Sequence, residues 1–359
     1  MATTAINQTI NPDRMTQILG TAVNEMAAAF SGVLILLGDR LGLYKAMAGA
    51  GLMTSDELAR KTGMSERYLR EWLSAQAAGG ILEYNPATKS FALGNEYALL
   101  LAGENGPAFL PAAYEIMMAL VIDEPRLEEA FRTGEGVGWD EHHPCLFSGT
   151  ERFFKPSYLT NLAQSWIPAL DGVSAKLEAG ALVADVGCGR GASTIIMAQA
   201  YPNSRFRGFD SHEGSIDGAR SEAARAGVAD RCTFEIASSK AFPGSDYDLV
   251  AAFDCLHDMG DPAGAAAHIR RALKPDGTWL IVEPFANDNL EDNLNPIGRL
   301  CYCASTMVCT PASKAQEVGL ALGAQAGEKR LRAVAFAGGF TRFRRAAETP
   351  FNLVLEARP

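Results

Sequence analysis

The chain has 359 residues, of which 48% are hydrophobic and 21% charged, and its formal net charge is −10. This length favours two domains, and the composition excludes the disordered and fibrous classes. Because nucleic-acid-binding proteins usually present a basic surface, the acidic balance argues against a nucleic-acid partner.

The N-terminal region is predicted to be helical. Asn11, Pro12 and Asp13 form a helix start. The apolar run from Ala27 to Leu37 is too short to span a bilayer and predicts a buried helix, with no membrane partner. Its apolar residues occupy more than one face, so it needs a partner in its own domain or in a second subunit. The first ten residues lack the features of a signal peptide, and a cytoplasmic protein is expected.

The next segment has the element order of a winged helix. Thr54 and Glu57 form a capping box for one helix, Ser65 begins a second, and residues 81–93 predict a hairpin. A DNA-binding regulator is therefore one hypothesis for the function. Residues 51–100 hold five basic and six acidic side chains, however, and this balance disfavours phosphate binding.

Residues 104–170 are predicted to be helices and loops that cover a ligand. The stretch 131–154 is rich first in glycine and then in aromatic residues, as in loops that fold over a binding site. His142 and His143 have no third ligand at metal spacing, so no metal site is predicted. The side chains predicted to contact the substrate are His143, Phe153, Tyr158, Trp166 and Met307.

From Leu182 onward, short apolar runs alternate with helical stretches. This alternation predicts an α/β fold with an open, mostly parallel, doubly wound sheet. The last two runs are separated only by a short turn and predict an antiparallel hairpin. The predicted strands are LVADV, RFRGFD, CTFEIA, YDLVAAFD and GTWLIVEP, followed by the hairpin strands FTRFRRAAE and FNLVLEAR.

The stretch VADVGCGRGAS lies where such a sheet binds its ligand. Its glycines fit a dinucleotide loop as well as an S-adenosylmethionine loop, and Asp210 is placed to bind a ribose in either case. Asp185 distinguishes the two, because its charge disfavours a nearby diphosphate and favours a ligand with ammonium and sulfonium groups. A nicotinamide-dependent oxidoreductase is the alternative.

From Leu182 to its end the chain resembles the class I S-adenosylmethionine-dependent methyltransferases, with VADVGCGRG similar to the first motif of that family and GFD to the second. The resemblance implies S-adenosylmethionine as cofactor. It also implies that Asp185, Gly187 and Gly189 line the methionine part and that Asp210 binds the ribose. The predicted cofactor-binding residues are Asp185, Gly187, Cys188, Gly189, Asp210, Ser211, Ser238, Ser239, Phe253 and Asp254.

The whole chain resembles a bacterial group of two-domain methyltransferases known from mycobacteria, whose substrates are largely unassigned. In related small-molecule enzymes the winged domain forms the dimer. The resemblance therefore implies a homodimerisation domain at 1–103, a helical linker and substrate lid at 104–170, and a seven-stranded Rossmann-like methyltransferase domain at 171–359.

His257 and Asp258 resemble a segment of plant-type O-methyltransferases in which the histidine deprotonates the substrate hydroxyl. An imidazole suits this role, and Glu283 at the end of the fifth strand is a better orienting group than Asp258, whose side chain is expected to point elsewhere. His257, Asp258 and Glu283 are the predicted catalytic residues. Methylation of sulfur or nitrogen by positioning alone is the alternative for the reaction.

Overall fold

A computed structural model describes residues 10–104 and 106–359, which separate into two units, Met1–Tyr114 and Glu115–Pro359. The boundaries at residues 103 and 170, which separate the dimerisation domain, the lid and the methyltransferase domain, remain predictions.

The first unit has the predicted winged-helix order. The Asn11 side chain accepts hydrogen bonds from the backbone N–H groups of Asp13 and Arg14, and the capping box of Thr54 and Glu57 is present. The two strands pair antiparallel as a hairpin. The elements are α1 (Pro12–Arg40), α2 (Leu43–Met47), α3 (Ser55–Thr62), α4 (Glu66–Ala78), β1 (Leu82–Asn85), β2 (Ser90–Leu93) and α5 (Asn95–Leu101).

Helix α1 is largely exposed, and the prediction of a buried helix is wrong for the chain by itself. Its buried residues are Gly32, Ile35, Leu36 and Gly38, whereas the Phe30 side chain is 74% exposed. Among the described residues, α1 is the helix that is long and apolar enough to cross a membrane by length and composition, and 11% of its most apolar window is buried. Sequence pattern alone could not distinguish a helix covered by its own chain from one that needs an external partner.

The second unit contains the predicted seven-stranded sheet. Its strands are β3 (Leu182–Val186), β4 (Arg205–Asp210), β5 (Cys232–Ile236), β6 (Tyr247–Phe253), β7 (Leu273–Pro284), β8 (Arg342–Glu348) and β9 (Asn352–Arg358). Its helices are α7 (Glu124–Thr133), α8 (Cys145–Asn161), α9 (Val173–Ala179), α10 (Ala192–Ala200), α11 (Glu213–Arg225), α12 (Pro262–Ala272), α13 (Pro296–Ala304), α14 (Thr310–Lys314) and α15 (Gly327–Ala337), while α6 (Leu110–Ile122) includes the boundary between the units.

The strand order of this sheet is β5-β4-β3-β6-β7-β9-β8, with β3 to β7 parallel and β8 and β9 antiparallel to their neighbours. Successive residues of a strand enter different cores: Val183 packs in one cluster and Ala184 in the other, so both faces of the sheet are covered. Strands β4 and β5 are added on one side of β3, and the chain then crosses to the other side of β3 to add β6 and β7. In such sheets the ligand binds beyond the carboxyl ends of the two strands at this change of side.

Candidate active site

The loop after β3 requires its glycines. Gly187, Gly189 and Gly191 have φ values of 75°, 52° and 83°, a region that residues with a side chain rarely adopt. A Cβ atom on Gly187 would also lie 2.6 Å from the Cys255 sulfur. The backbone can therefore turn sharply between β3 and α10 and approach a ligand closely.

Asp185 is buried directly behind this loop and does not line the cleft described below. Its Oδ2 accepts hydrogen bonds of 2.6 Å from the hydroxyl groups of Ser193 and Thr194, while Oδ1 has no hydrogen-bond partner among the described residues. Burial raises the pKa of Asp185 to about 6, against the lowering effect of the two hydroxyl groups. Asp185 thus fixes the first turn of α10.

Asp210 joins the end of β4 to the glycine loop. Its Oδ2 accepts a hydrogen bond of 2.9 Å from the Gly189 N–H, and its Oδ1 accepts one of 2.9 Å from the His212 N–H. Burial raises the pKa of Asp210, and these backbone donors oppose the rise. Each carboxylate oxygen keeps a further lone pair for a ligand hydroxyl.

A cleft of about 480 Å³ in the second unit contains most of the predicted cofactor residues. The predicted residues that line it are Gly187, Cys188, Gly189, Asp210, Ser211, Ser238, Ser239, Phe253 and Asp254, together with Tyr158 and Asp258. Its basic residues Arg190 and Lys240 are both in ion pairs, Arg190 with Glu151 at 2.6 Å and Lys240 with Glu317 at 2.6 Å. The charge balance of the lining is acidic.

Asp254 is one of the acidic residues that line the cleft. Its backbone has a φ of 49°, which is strained for a residue other than glycine. The hydroxyl of Tyr158 donates to Oδ2 at 3.2 Å, and the amide of Asn352 donates to Oδ1 at 3.0 Å. Burial, together with the negative charge of Glu283, raises the pKa of Asp254 to about 8. Asn352 was not predicted, because its position in a hairpin strand carries no sequence signal for a site.

His257 lies immediately behind the cleft and is held by Glu283. Its Nδ1 is 2.5 Å from Glu283 Oε2, while Glu283 Oε1 accepts a hydrogen bond of 2.9 Å from the Leu256 N–H. The expectation that Asp258 points elsewhere is wrong: its Oδ1 lies 3.2 Å from His257 Nε2, although the two atoms are not hydrogen-bonded. Burial alone would lower the pKa of His257, but the charges of Asp258 and Glu283 raise it well above 6.5.

The same corner brings together three atoms that are able to bind a metal ion. Donor atoms of His257, Asp258 and Cys309 lie within 4.8 Å of one another, and nitrogen, oxygen and sulfur ligands of this kind suit zinc. Burial, together with the negative charge of Asp258, raises the pKa of the Cys309 thiol to about 12. Cys309 lies in an apolar helical run, which predicts a position in the core or in the pocket wall and gives no signal for a polar cluster.

The predicted substrate residues do not form one group. Tyr158 lines the cleft, whereas Trp166 is fully buried in the core and packs edge-on against Tyr158, with 6.1 Å between the ring centroids. Phe153 is 36% exposed, and Met307 lies against a separate apolar cluster that includes Cys309. His143 is half-buried, and its Nδ1 accepts a hydrogen bond of 3.3 Å from the Cys145 N–H.

Trp139 and Phe147 line the cleft and were not predicted as substrate residues, although both lie in the predicted lid.

Two family models match the chain, one in each region that the sequence distinguished. Residues 29–103 match the Rv2258c-like winged HTH domain, and residues 177–335 match a methyltransferase domain. The chain therefore contains an N-terminal winged-helix domain of that family and a class I S-adenosylmethionine-dependent methyltransferase domain. The predicted family, fold and cofactor are confirmed.

Curated relatives match part of the chain. The 27-O-demethylrifamycin SV methyltransferase of Amycolatopsis mediterranei is 30% identical over 141 residues, which are 39% of this chain and 46% of that protein. The sterol 24-C-methyltransferase erg-4 of Neurospora crassa is 27% identical over 162 residues, 43% of this chain and 41% of that protein. The matches thus span less than half the length of these two relatives.

Solved structures share the fold over nearly the whole chain. The mitomycin 7-O-methyltransferase MmcR has a TM-score of 0.71 at 20% identity, with 97% of this chain and all of that chain covered. Human N-acetylserotonin methyltransferase, solved with S-adenosylmethionine, has a TM-score of 0.68 at 18% identity, with 98% of this chain and 99% of that chain covered.

The residues of the cleft fit S-adenosylmethionine. The glycine loop gives close backbone approach, Asp210 has free lone pairs for a ribose, and Asp254 adds a negative charge that suits a sulfonium when it is ionised. Because Arg190 and Lys240 already form ion pairs, the cleft is poorly suited to a diphosphate.

Proposed function

We propose that the protein methylates a hydroxyl group of a small molecule, with His257 as the general base. The observation that carries this proposal is the buried contact between His257 and Glu283 directly behind the cofactor cleft. A neutral hydroxyl is a poor nucleophile until it loses its proton, whereas a thiol or amine could react through positioning alone.

When bound, S-adenosylmethionine supplies an electrophilic methyl group on a sulfonium. Glu283 holds the Nδ1 side of His257, and Nε2 lies 3.2 Å from Oδ1 of Asp258, which lines the cleft. The hydroxyl gives its proton to Nε2 of His257 as its oxygen becomes the nucleophile, and Glu283 stabilises the imidazolium that results. The raised pKa of His257 makes its neutral form a strong base.

The experiment that tests this function has two stages. S-adenosylhomocysteine at a hundred times its dissociation constant is expected to stabilise the protein by about 2.7 kcal/mol in a thermal-shift assay, whereas NAD leaves it unchanged. The protein is then incubated with S-adenosylmethionine and a panel of phenols, alcohols, thiols and amines, and methylated products are identified by mass spectrometry. Methylation confined to thiols or amines contradicts the hydroxyl assignment.

The charge of the cleft gives a pH-dependent cofactor preference. Asp254 is protonated below its pKa of about 8, and a cationic ligand favours its ionised form. We therefore expect the affinity for S-adenosylmethionine, relative to uncharged-sulfur S-adenosylhomocysteine, to rise about tenfold from pH 6 to pH 9 by calorimetry. Asp254→Asn should abolish this trend, and an unchanged trend in that variant would assign it to another group.

We infer that the protein is a homodimer assembled through its N-terminal domain. Helix α1 exposes a series of apolar side chains that a second copy could cover: Ile18, Leu19, Val23, Met26 and Phe30, each more than half exposed. Phe30→Glu is expected to shift the mass measured by light scattering from dimer to monomer, while the control Tyr68→Glu, an exposed aromatic on α4, leaves it unchanged. A monomeric wild-type protein contradicts the inference.

The cytoplasmic location and the lack of nucleic-acid and membrane partners remain predictions from sequence.

A further inference from the structure

A second buried histidine, His142, is held by a carboxylate beside a residue that lines the cleft. Asp123 Oδ2 lies 2.9 Å from His142 Nδ1 and also accepts a hydrogen bond of 3.0 Å from the His143 N–H. Because an ionised carboxylate can only accept, Nδ1 carries the proton of this bond. In the neutral ring, Nε2 is then a free acceptor.

This acceptor has no partner among the described residues. The side chain of His142 is 0% exposed, and Nε2 is buried without a hydrogen bond. Buried polar atoms are nearly always hydrogen-bonded, so an orphan on a ring fixed by a carboxylate calls for an explanation. Asp123 itself is 3% exposed, and its contacts hold the ring in place.

The ring of His142 packs beside the lining of the cleft. Trp139 packs edge-on against it with 6.4 Å between the ring centroids, and Trp139 lines the cleft. Burial raises the pKa of Asp258, which also lines the cleft, and a protonated His142 would oppose that rise. The Oδ1 of Asp258 likewise has no hydrogen-bond partner among the described residues. Two buried acceptors without a partner thus belong to, or pack beside, the residues that line the cleft.

We propose that His142 is a specificity-determining residue whose Nε2 accepts a hydrogen bond from a second donor on the methyl acceptor, adjacent to the hydroxyl that is methylated. The substrate class is then a neutral molecule with two neighbouring donors, such as a 1,2-dihydroxyaryl compound: one hydroxyl meets Asp258 and His257, and the other meets His142. This proposal rests on the proposed O-methylation and adds a residue that the His257 mechanism does not use.

The test compares three neutral probes that differ in the second donor. These are 4-methylcatechol, p-cresol, which lacks the second hydroxyl, and 2-methoxy-4-methylphenol, in which it is blocked. The two other probes leave the buried Nε2 of His142 without a hydrogen-bond donor, which costs free energy in the transition state. The wild-type kcat/KM is therefore expected to be at least about tenfold higher for 4-methylcatechol than for either of them. Equal values for the three probes overturn the proposal.

Two variants assign the preference to one atom. His142→Asn keeps an amide donor near the position of Nδ1 for Asp123 but has no group at Nε2, whereas His142→Gln places an amide near Nε2. In the asparagine variant, kcat/KM is expected to fall for 4-methylcatechol and to stay unchanged for the other two probes, so that the preference disappears. The glutamine variant is expected to recover part of the preference. Affinity for S-adenosylhomocysteine and thermal stability serve as controls for folding.

The outcomes separate this proposal from the function on which it rests. An equal loss for all probes in His142→Asn, or a preference that survives it, assigns His142 a structural role and overturns the proposal. Methylation of other hydroxyl compounds in the panel but none of these three overturns the dihydroxy class and leaves O-methylation standing. O-methylation itself fails only if no hydroxyl compound yields a methylated product.

Discussion

His257→Asn is expected to lower kcat for a hydroxyl acceptor by about 10²- to 10⁴-fold, the range that a positioned general base contributes. The asparagine amide can still donate to Glu283, which accepts from Nδ1 in the native protein, but Nε2 is lost. The dissociation constant for S-adenosylhomocysteine should stay within about twofold. Product formation under saturating cofactor, followed by mass spectrometry, is the measurement.

The matched control for this variant is His268→Asn. His268 lies on α12 and its Nε2 bonds to the Phe242 carbonyl at 2.8 Å, so its loss tests general effects of removing a partly buried imidazole. Turnover should be unaffected by it. If His257→Asn is as active as the wild type, catalysis proceeds by positioning, and the acceptor atom is one that ionises or reacts without a base.

The pH dependence follows from the charges around His257. The charges of Asp258 and Glu283 raise the pKa of His257 well above 6.5 against the lowering effect of burial, and only the neutral ring can accept a proton. We expect kcat to rise with pH through this raised pKa. The stabilisation that the ion pairs give to folding has the opposite trend: it is fully present below pH 6.5 and is lost as pH rises through the raised value. His257→Asn should flatten both profiles, with EDTA present to exclude a metal effect.

Local sequence signals were sufficient for the sheet and the cofactor loop. The strand runs, the helix caps and the glycines depend on backbone geometry that neighbouring residues determine, so Gly187 and Asp210 could be placed at the carboxyl end of the sheet. Strand order also explains why Glu283 could be paired with His257, since β6 and β7 are neighbours and their ends meet.

The acceptor side of the site could not be predicted in the same way. Trp166 was expected at the substrate and is in the core, because an aromatic residue in a helical stretch has the same pattern in either place. Asp123 and Asn352 reach the site from helical and hairpin segments far away in sequence. Their contribution depends on tertiary packing and on the rotamers of buried side chains, for which spacing carries no signal.

Asp210→Ala is expected to weaken binding of S-adenosylhomocysteine by about 10- to 100-fold, because it removes a charged hydrogen-bond acceptor from the ribose and a support from the loop. The carboxylate is the acceptor for the N–H groups of Gly189 and His212, so the variant loses ligand contacts and the preorganisation of the glycine loop together. Asp210→Asn separates these effects. Its amide oxygen can still accept one backbone hydrogen bond, while the amide nitrogen cannot accept any.

Calorimetric titration with S-adenosylhomocysteine measures the loss, and Asp217→Asn provides the control, since Asp217 is an exposed acid on α11 that pairs with Arg220 outside the cleft. Asp210→Asn should fall between the wild type and Asp210→Ala. The effect should appear in cofactor affinity more than in kcat at saturating cofactor, because Asp210 binds a part of the cofactor that does not react. Wild-type affinity in Asp210→Ala would place the ribose elsewhere and remove the main argument for the orientation of the cofactor in the cleft.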